Sequence, residues 1–271
     1  MLVAIDFGIT NTDIIVCKES KNQFFSLPSE EINEDFIINI FNYIDVKINE
    51  VKKIAVTGGK SSDLDDYFKQ IPLIKVNEVQ AIGFGAREIY GIKDESFLVT
   101  SAGTGTACVA FFNEQFNHLG GISVGGGTLK GLSNLIIKNN SAEEIDNLAI
   151  QGNRNNLDAL IGEVVNDIGA LHPEITASNF SKAAQITNQS DKDIAASISN
   201  MVGEVIGTIS YLNALLIGVD KVYFVGRMSL LQSVKDGIDK RLNLAKIHGV
   251  YESKREYANA LGALAYLKAN P

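Results

Sequence analysis

Two segments of this 271-residue chain follow the same pattern: an apolar run, a short bend of small residues, and a second apolar run. The first, VAIDFGITNTDIIV, covers residues 3 to 16, and the second, FLVTSAGTGTACVAFF, covers residues 97 to 112. Each pattern predicts a β-hairpin, and each is followed later by an apolar strand that ends in glycine, at residues 54 to 59 and 222 to 227. The repetition predicts two similar halves whose glycine-rich bends face each other across a cleft.

Strand, helix and turn patterns alternate along the chain, which predicts an α/β fold with some parallel strand pairing. Hydrophobic residues make up 45% of the sequence, so the chain can bury a substantial core, and its length allows two lobes. There are only four prolines, so the boundary should be a short hinge, and the turn at residues 90 to 94 is the best candidate. We therefore predict lobes of residues 1–91 and 92–271.

Helical spacing of apolar residues predicts helices at residues 34–49 and 193–216, and the glycine-poor tail at residues 256–267 is interpreted as a third helix. The stretch from 201 to 219 is also long enough to be considered as a membrane span. Glu204 and Asn213 within it favour a buried helix at a subunit contact instead.

Charge and cysteine content exclude several classes of partner. The formal net charge of -8 lacks the basic surface that nucleic-acid binding requires. The two cysteines have no metal-binding spacing, and the N-terminus has no signal-peptide pattern. These features predict a protein of the reducing cytoplasm without a disulfide framework, a membrane anchor or a zinc site.

The first bend has the residue types of a phosphate site. Backbone N–H groups near Gly8 are unshielded, and Thr10 and Thr12 add hydroxyl donors, so the bend can form an anion-binding concavity. Asp6 at the end of the preceding strand could hold Mg²⁺ that bridges phosphate oxygens. The alternative is a plain hairpin turn. The predicted phosphate-contacting residues of this bend are Gly8, Thr10, Asn11 and Thr12.

Two further glycine-rich stretches could bind a nucleotide. In the second bend, glycines alternate with the hydroxyl residues Thr104 and Thr106 around Gly105, which lets a ligand approach the backbone closely. A third stretch, at 120 to 132, precedes a helix-like run, and a helix N-terminus attracts phosphate. Close helix–strand packing is the alternative reason for glycine there. No P-loop or Rossmann pattern is present. The predicted contacts in the third stretch are Gly125, Gly126, Gly127, Thr128, Leu129 and Lys130.

Glu78 is the candidate general base. It follows the apolar strand IPLIKV and opens a small-residue helix, so it could project from the edge of the first sheet and accept a proton from a hydroxyl group. The alternative is that Glu78 only stabilises the positive end of the helix dipole. The three histidines, His118, His172 and His248, have no spacing that suggests a metal site.

In this order and spacing, the motifs resemble those of type II pantothenate kinases, a family of the actin-like ATPase, sugar kinase and Hsp70 superfamily. The resemblance implies two ribonuclease H-like lobes with a nucleotide cleft, and ATP-dependent phosphorylation of pantothenate by a homodimer at the start of coenzyme A biosynthesis. The most specific motifs are TGG (57–59), Glu78, GTGT (103–106), GGISVGGGTLKGL (120–132), GNRNNLD (152–158), VGEVIGTI (202–209) and VYFVG (222–226).

The resemblance also implies roles for individual residues. Glu78 matches the family's proton acceptor, and Gly226 falls near the adenosine end. His118 and Gly121 fall at substrate-binding positions. The phosphate and nucleotide contacts that it implies are Asp6, Gly8, Thr10, Thr104, Gly105 and the run from Gly126 to Lys130.

Four positions depart from the family pattern. Ile9 replaces a glycine of the first loop, and Asp13 stands where the family has lysine. His118 replaces a substrate-holding arginine, and Arg227 replaces a serine. These departures leave two alternatives open, a pseudokinase that binds nucleotide or acyl-CoA and a kinase of another small hydroxyl substrate. An N-acetylsugar kinase is disfavoured because no zinc constellation or sugar-kinase signature is evident.

Overall fold

The computed structural model describes residues 1–94, 96–166 and 172–270. Its strands are β1 (Leu2–Phe7), β2 (Asn11–Lys18), β3 (Lys21–Pro28), β4 (Lys53–Thr57), β5 (Tyr67–Phe68), β6 (Ile71–Lys75), β7 (Phe97–Ala102), β8 (Thr106–Phe112), β9 (Gln115–Ile122), β10 (Ala159–Leu160), β11 (Thr176–Ser178), β12 (Lys221–Val225) and β13 (His248–Val250). Its α-helices are α1 (Glu34–Tyr43), α2 (Glu78–Tyr90), α3 (Gly126–Ile137), α4 (Ala142–Gln151), α5 (Ile161–Val164), α6 (Asp191–Ile217), α7 (Gln232–Leu244) and α8 (Ala258–Ala269).

The chain divides into two compact units. The first comprises Met1–Glu95, Val109–His118 and Glu252–Pro271, and the second comprises Ser96–Cys108 and Leu119–Tyr251. The predicted lobes, residues 1–91 and 92–271, place the C-terminal helix in the second lobe. In the structure α8 packs on α2 and β1 and belongs to the first unit. Such a long-range association leaves no mark in local composition.

The first unit contains a six-stranded sheet of order β3-β2-β1-β4-β6-β5. Strands β1, β2 and β3 are antiparallel neighbours, whereas β1, β4 and β6 run parallel. One sheet face is covered by α1, whose residues Phe36, Ile37, Ile40 and Phe41 are buried as predicted. The other face is covered by α2 and α8. Helix α1 ends at Tyr43 and not at residue 49, because Ile44 caps it and Asp45 takes a left-handed φ of 52°.

The sheet of order β13-β12-β7-β8-β9 repeats the arrangement of the first. Read from its other edge, β9-β8-β7-β12-β13 has the order of β3-β2-β1-β4-β6, with β12 parallel to both β7 and β13. In both sheets the third strand in sequence pairs with the second strand of the hairpin, and a later strand pairs in parallel with the first strand of the hairpin. The predicted duplication of the strand arrangement is therefore confirmed.

Helix α6 is the longest helix in the described residues, and its position agrees with the predicted 193–216. It packs against α4 and α7 in the second unit. By length and composition it could cross a membrane, and half of the window that meets this criterion is buried inside the structure. The buried Glu204 and Asn213 lie on it, as expected for a core helix.

Candidate functional site

The end of β1 brings three polar side chains together in the first unit. Asp6 of β1 is paired in register with Asp13 of β2 on one side and with Thr57 of β4 on the other. Residues paired across neighbouring strands project from the same sheet face. The exposed fractions are 8% for Asp6, 3% for Asp13 and 0% for Thr57. The sheet therefore holds two carboxylates and a hydroxyl side by side below the surface.

Thr57 and the glycine after it were not predicted to belong to this group as functional residues. The Thr57 Oγ1 atom is buried and has no hydrogen-bond partner among the described residues. Gly58 has a φ of 75°, and a Cβ atom there would overlap Asp6 Oδ1 and come within 2.9 Å of Phe7 O. The missing side chain leaves room for the Asp6 carboxylate.

The first bend presents backbone donors. Within the described part of the chain, the N–H groups of Gly8 and Ile9 have no hydrogen-bond partner. Thr10 and Ile9 are exposed, and Asn11 is half-buried at the start of β2. The geometry of this bend is thus compatible with the predicted anion site.

Thr12 differs from the prediction. Its side chain is fully buried, and its Oγ1 atom lies 3.0 Å from the Oγ atom of Ser29. Its hydroxyl is therefore engaged within the protein, and we assign Thr12 a supporting role in place of direct phosphate contact. Ser29 itself was missed from the sequence, because the contact depends on how β2 and β3 are paired.

A pocket of about 570 Å³ lies beside the first bend. Gly8, Ile9, Ser29 and Lys60 contribute to its lining, and so do three carboxylate side chains. The Lys60 ammonium makes no ion pair or hydrogen bond with the described residues. The lining carboxylates are Glu30, Glu31 and Asp63.

Glu78 is the first residue of α2, as predicted. The side chain of Asn77 accepts a hydrogen bond from the Val79 N–H at 2.9 Å and so fixes the start of the helix. Glu78 is exposed and makes no hydrogen bond or ion pair with other described residues. Its carboxylate is therefore available to accept a proton, although the position also suits a purely dipolar role.

His118 and Gly121 both lie on β9 and are exposed. His118 belongs to the first unit and Gly121 to the second. Their predicted contact with substrate stays a prediction.

In the second unit, the second bend and the start of α3 are joined by backbone hydrogen bonds. Gly126 N–H donates to Gly103 O and Gly127 N–H donates to Thr104 O, both at 2.9 Å. The bend is closed by a bond of 2.9 Å from Gly103 N–H to Gly105 O. The N–H groups of Gly126 and Gly127, which were predicted to contact the nucleotide, therefore form hydrogen bonds within the protein.

Gly125 and Gly226 permit this close packing. A Cβ atom on Gly125 would lie 2.8 Å from both Gly103 O and Thr104 O. Gly226 has a φ of 87°, and a Cβ atom there would lie 2.7 Å from the carbonyl carbon of Ala102. The second bend, the start of α3 and the turn after β12 consequently form one cluster. That this cluster binds a nucleotide stays a prediction.

The remaining predicted residues of the third stretch have different environments. The Thr128 N–H is the first-turn donor that has no backbone acceptor among the described residues. The hydroxyls of Thr106 and Thr128 donate to Val124 O at 2.8 Å and to Ser123 O at 3.2 Å. Leu129 is fully buried and its N–H donates to Gly125 O, so it supports packing. Lys130 is half-buried.

The GNRNNLD motif builds a buried ionic group in the second unit. Asp158 is fully buried, accepts a hydrogen bond from Phe180 N–H at 2.9 Å, and lies 3.6 Å from Arg154. Burial raises the pKa of the Asp158 carboxyl. Nearby, Thr176 donates to Glu204, which pairs with Arg241 at 2.8 Å. The network ties α6 to α7 and to the strand β11.

Comparison with solved structures shows the fold. An activator of 2-hydroxyisocaproyl-CoA dehydratase from Clostridium difficile, solved with bound ADPNP, matches 99% of this chain and 94% of its own, with a TM-score of 0.70 at 16% identity. A ROK family glucokinase from Streptomyces griseus, in complex with glucose and AMPPNP, matches 100% and 99% with a TM-score of 0.63 at 12% identity. These likenesses confirm the predicted α/β fold of the ribonuclease H-like (actin-like ATPase) class.

Comparison with protein families and relatives gives the family. The sequence model of the Fumble family matches residues 93–236. A type II pantothenate kinase of Bacillus thuringiensis subsp. konkukian is 32% identical over 83% of this chain and 82% of its own. A type II pantothenate kinase of Bacillus cereus is 31% identical over 97% and 96%. Because the family model matches more than half of its length, and relatives of more than 30% identity cover 83% and 97% of it, the chain belongs to the Fumble family of type II pantothenate kinases.

Proposed function

We propose that this protein transfers the γ-phosphoryl group of ATP to the terminal hydroxyl group of pantothenate, the first step of coenzyme A biosynthesis. The observation that carries the proposal is the identity of about one third, over almost the whole chain, with proteins named type II pantothenate kinase. The backbone geometry of the two bends supports it, because phosphoryl transfer depends mainly on positioning of the phosphates.

Each unit contributes its own part to nucleotide binding. In the first unit, the free N–H groups of Gly8 and Ile9 bind phosphate oxygens, and Thr10 adds a hydroxyl. In the second unit, the cluster of the second bend, α3 and Gly226 binds the nucleotide, with Lys130 and the Thr128 N–H as donors. That the two bends face each other stays a prediction.

The residues around Asp6 fit a magnesium ion. Mg²⁺ prefers oxygen ligands, and Asp6 offers a buried carboxylate beside the Thr57 hydroxyl, which has no partner among the described residues. We propose that Asp6 holds the ion directly or through water. When bound, it would neutralise charge on the phosphate oxygens.

Glu78 acts as the general base in this proposal. Its exposed carboxylate accepts the proton of the pantothenate hydroxyl while the new oxygen–phosphorus bond forms, and ADP leaves with the electrons of the broken bond. His118 and Gly121 contribute to the substrate site. An imidazole cannot form the bidentate pair of hydrogen bonds with a carboxylate that a guanidinium forms, so it gives a weaker hold.

We also propose a cytoplasmic homodimer. The last turns of α6 expose Leu212, Leu215 and Leu216 with exposed fractions of 50%, 56% and 73%. Large apolar side chains grouped on one helix are typical of surfaces that bind another protein. Cys17 and Cys108 are free and buried, as in proteins of reducing compartments.

The test of the proposed function is a coupled assay of ADP release with pantothenate. We expect Glu78→Gln to lower kcat by about 100-fold or more, since general base catalysis contributes that much. Glu88→Gln, at an exposed position near the other end of α2, is the matched control and should retain wild-type turnover. Equal turnover of the wild type and Glu78→Gln would exclude Glu78 as the base, and a wild type without turnover would exclude pantothenate as substrate.

One observation favours a pseudokinase as the second candidate. Asp13 lies buried directly opposite Asp6, and its negative charge opposes phosphate binding at the neighbouring bend. Calorimetry with ATP and with acetyl-CoA separates the two candidates. Tight binding of either ligand without phosphorylated product would support the pseudokinase.

A further inference from the structure

Ser29 makes three hydrogen bonds to the first bend. Its Oγ atom donates to Gly8 O at 2.6 Å and lies 3.0 Å from Thr12 Oγ1, and its backbone N–H donates to Thr10 O at 3.1 Å. Ser29 follows directly after β3, so the end of one strand holds the bend between the two strands before it. The hydroxyl and the backbone of a single residue thus hold two carbonyl groups of the bend, one on each side of Ile9.

The number of protons on these hydroxyls determines which group donates in each hydrogen bond. A serine hydroxyl has one proton, and that of Ser29 is donated to Gly8 O. The contact with Thr12 must then be a bond that Thr12 donates to Ser29 Oγ. Because Thr12 is fully buried, it holds the Ser29 hydroxyl in this orientation from within the protein.

The bond to Gly8 O orients the next N–H group. The Gly8–Ile9 peptide bond is trans, so its C=O and its N–H point in opposite directions. With the oxygen held by Ser29, the N–H of Ile9 points away from β3, and it has no partner among the described residues. A peptide that could rotate would lose this orientation.

We propose that Ser29 is a positioning residue for phosphate binding: its hydroxyl holds the Gly8–Ile9 peptide so that the Ile9 N–H donates to a phosphate oxygen of the nucleotide. The inference rests on the proposed function as an ATP-dependent kinase. It adds a relay of hydrogen bonds, from the buried Thr12 to the half-buried Ser29 and on to Gly8, that prepares the bend before the nucleotide arrives.

Ser29→Ala tests the relay with little disturbance, because the backbone bond from residue 29 to Thr10 O remains. We expect the Kd for ADPNP, measured by calorimetry, to rise about tenfold, since two hydrogen bonds are lost. Ser29→Thr keeps the hydroxyl and should bind within about threefold of the wild type. Ser62→Ala, which removes an exposed hydroxyl bonded to Asp63 at 3.2 Å, is the matched control.

A second measurement separates positioning from general destabilisation. In ¹⁵N-resolved spectra, the Ile9 amide should shift on addition of ADPNP in the wild type and in Ser29→Thr, and less in Ser29→Ala. The KM for pantothenate should change by less than about twofold, because only the phosphate-binding bend is altered. Unchanged ADPNP affinity in Ser29→Ala, or an equal loss for both substrates, would overturn the inference.

The binding measurement also separates this inference from the proposed function. If the wild type binds ADPNP but phosphorylates no pantothenate, pantothenate is not the substrate. The ratio of the ADPNP Kd values of Ser29→Ala and the wild type still decides the role of Ser29 in that case. A wild type that binds no ADPNP overturns both.

Discussion

Substitution of Gly125 by alanine tests the close contact between the second bend and α3. The added Cβ atom would lie 2.8 Å from two carbonyl oxygens, those of Gly103 and Thr104, and 3.0 Å from the Cα atom of Gly105. These backbone atoms cannot move aside as a flexible side chain could. The bend or the helix must therefore shift by several tenths of an ångström.

The cost has two parts. Relief of such overlap typically costs about 1–3 kcal/mol. The same two carbonyls accept the N–H groups of Gly126 and Gly127 at 2.9 Å, and weakening these two bonds adds about 1–2 kcal/mol. The free energy of unfolding should fall by about 2–5 kcal/mol, which lowers the thermal midpoint by at least about 4 °C.

The assay combines thermal unfolding with calorimetry of ATP binding, and Gly131→Ala is the control on the same helix. A Cβ atom on Gly131 meets nothing within 4 Å, so alanine there should stabilise the helix by about 0.5–1 kcal/mol. Gly125→Ala should also weaken ATP binding about tenfold or more, because the nucleotide must restore the displaced bend. If Gly125→Ala and Gly131→Ala have equal midpoints and equal ATP affinities, the close contact has no functional consequence and the reasoning fails.

Two more predictions concern pH and assembly. Burial raises the pKa of Asp158, so the native state holds the proton of this carboxyl more tightly than the unfolded state does, and its contribution to stability falls as pH rises above about 4. In urea titrations, the free energy of unfolding of Asp158→Asn should therefore rise relative to that of the wild type between pH 4 and 7. A difference in unfolding free energy that stays constant over this pH range would contradict the prediction. Leu216→Glu should convert a dimer into monomers in light scattering, whereas Tyr67→Glu, at a residue that is 65% exposed in the first unit, should not; a dimer that survives Leu216→Glu would place the subunit contact elsewhere.

The two hairpins could be predicted from the sequence because their signal is local. Apolar runs on either side of a short glycine-containing bend are sufficient to indicate strand, turn and strand. The duplication followed from finding that signal twice, at Gly8 and at Gly103 to Gly105. The strand orders of the two sheets confirm it.

The contact of Ser29 with the first bend could not be predicted, because it depends on the register of β2 and β3. The turn between these strands has Glu19 and Ser20 with φ of 49° and 64°, the geometry of a two-residue hairpin turn. This turn pairs Lys18 with Lys21, and the same register continues to bring Thr10 opposite Ser29. A dipeptide such as Asn-Gly predicts this turn type from the sequence, whereas the Glu-Ser dipeptide found here does not.

The return of α8 to the first unit was also beyond local analysis. The buried residues of α8 lie on all of its faces, so the helix has no amphipathic stripe that indicates which sheet it covers. Its small residues decide the matter: a Cβ atom on Gly262 would overlap the carbonyl oxygen of Ala81 in α2. Such close helix contact is specific to one partner, and only the folded chain identifies it.

One pair of positions at the end of the first hairpin strand differs between the two copies of the duplicated arrangement, and we expect this difference to separate their roles. Asp6 is paired with Thr57 just before Gly58, and Ser101 is paired with Val225 just before Gly226. In both units the glycine lies against the end of the first strand of the hairpin and leaves space there. The first unit fills that position with a carboxylate and a hydroxyl, which suit a divalent cation. The second has the Ser101 hydroxyl beside the aliphatic side chain of Val225, a pair without the negative charge that a cation requires. We therefore expect the proposed cation to bind in the first unit, and the second unit to contact the nucleotide mainly through its backbone.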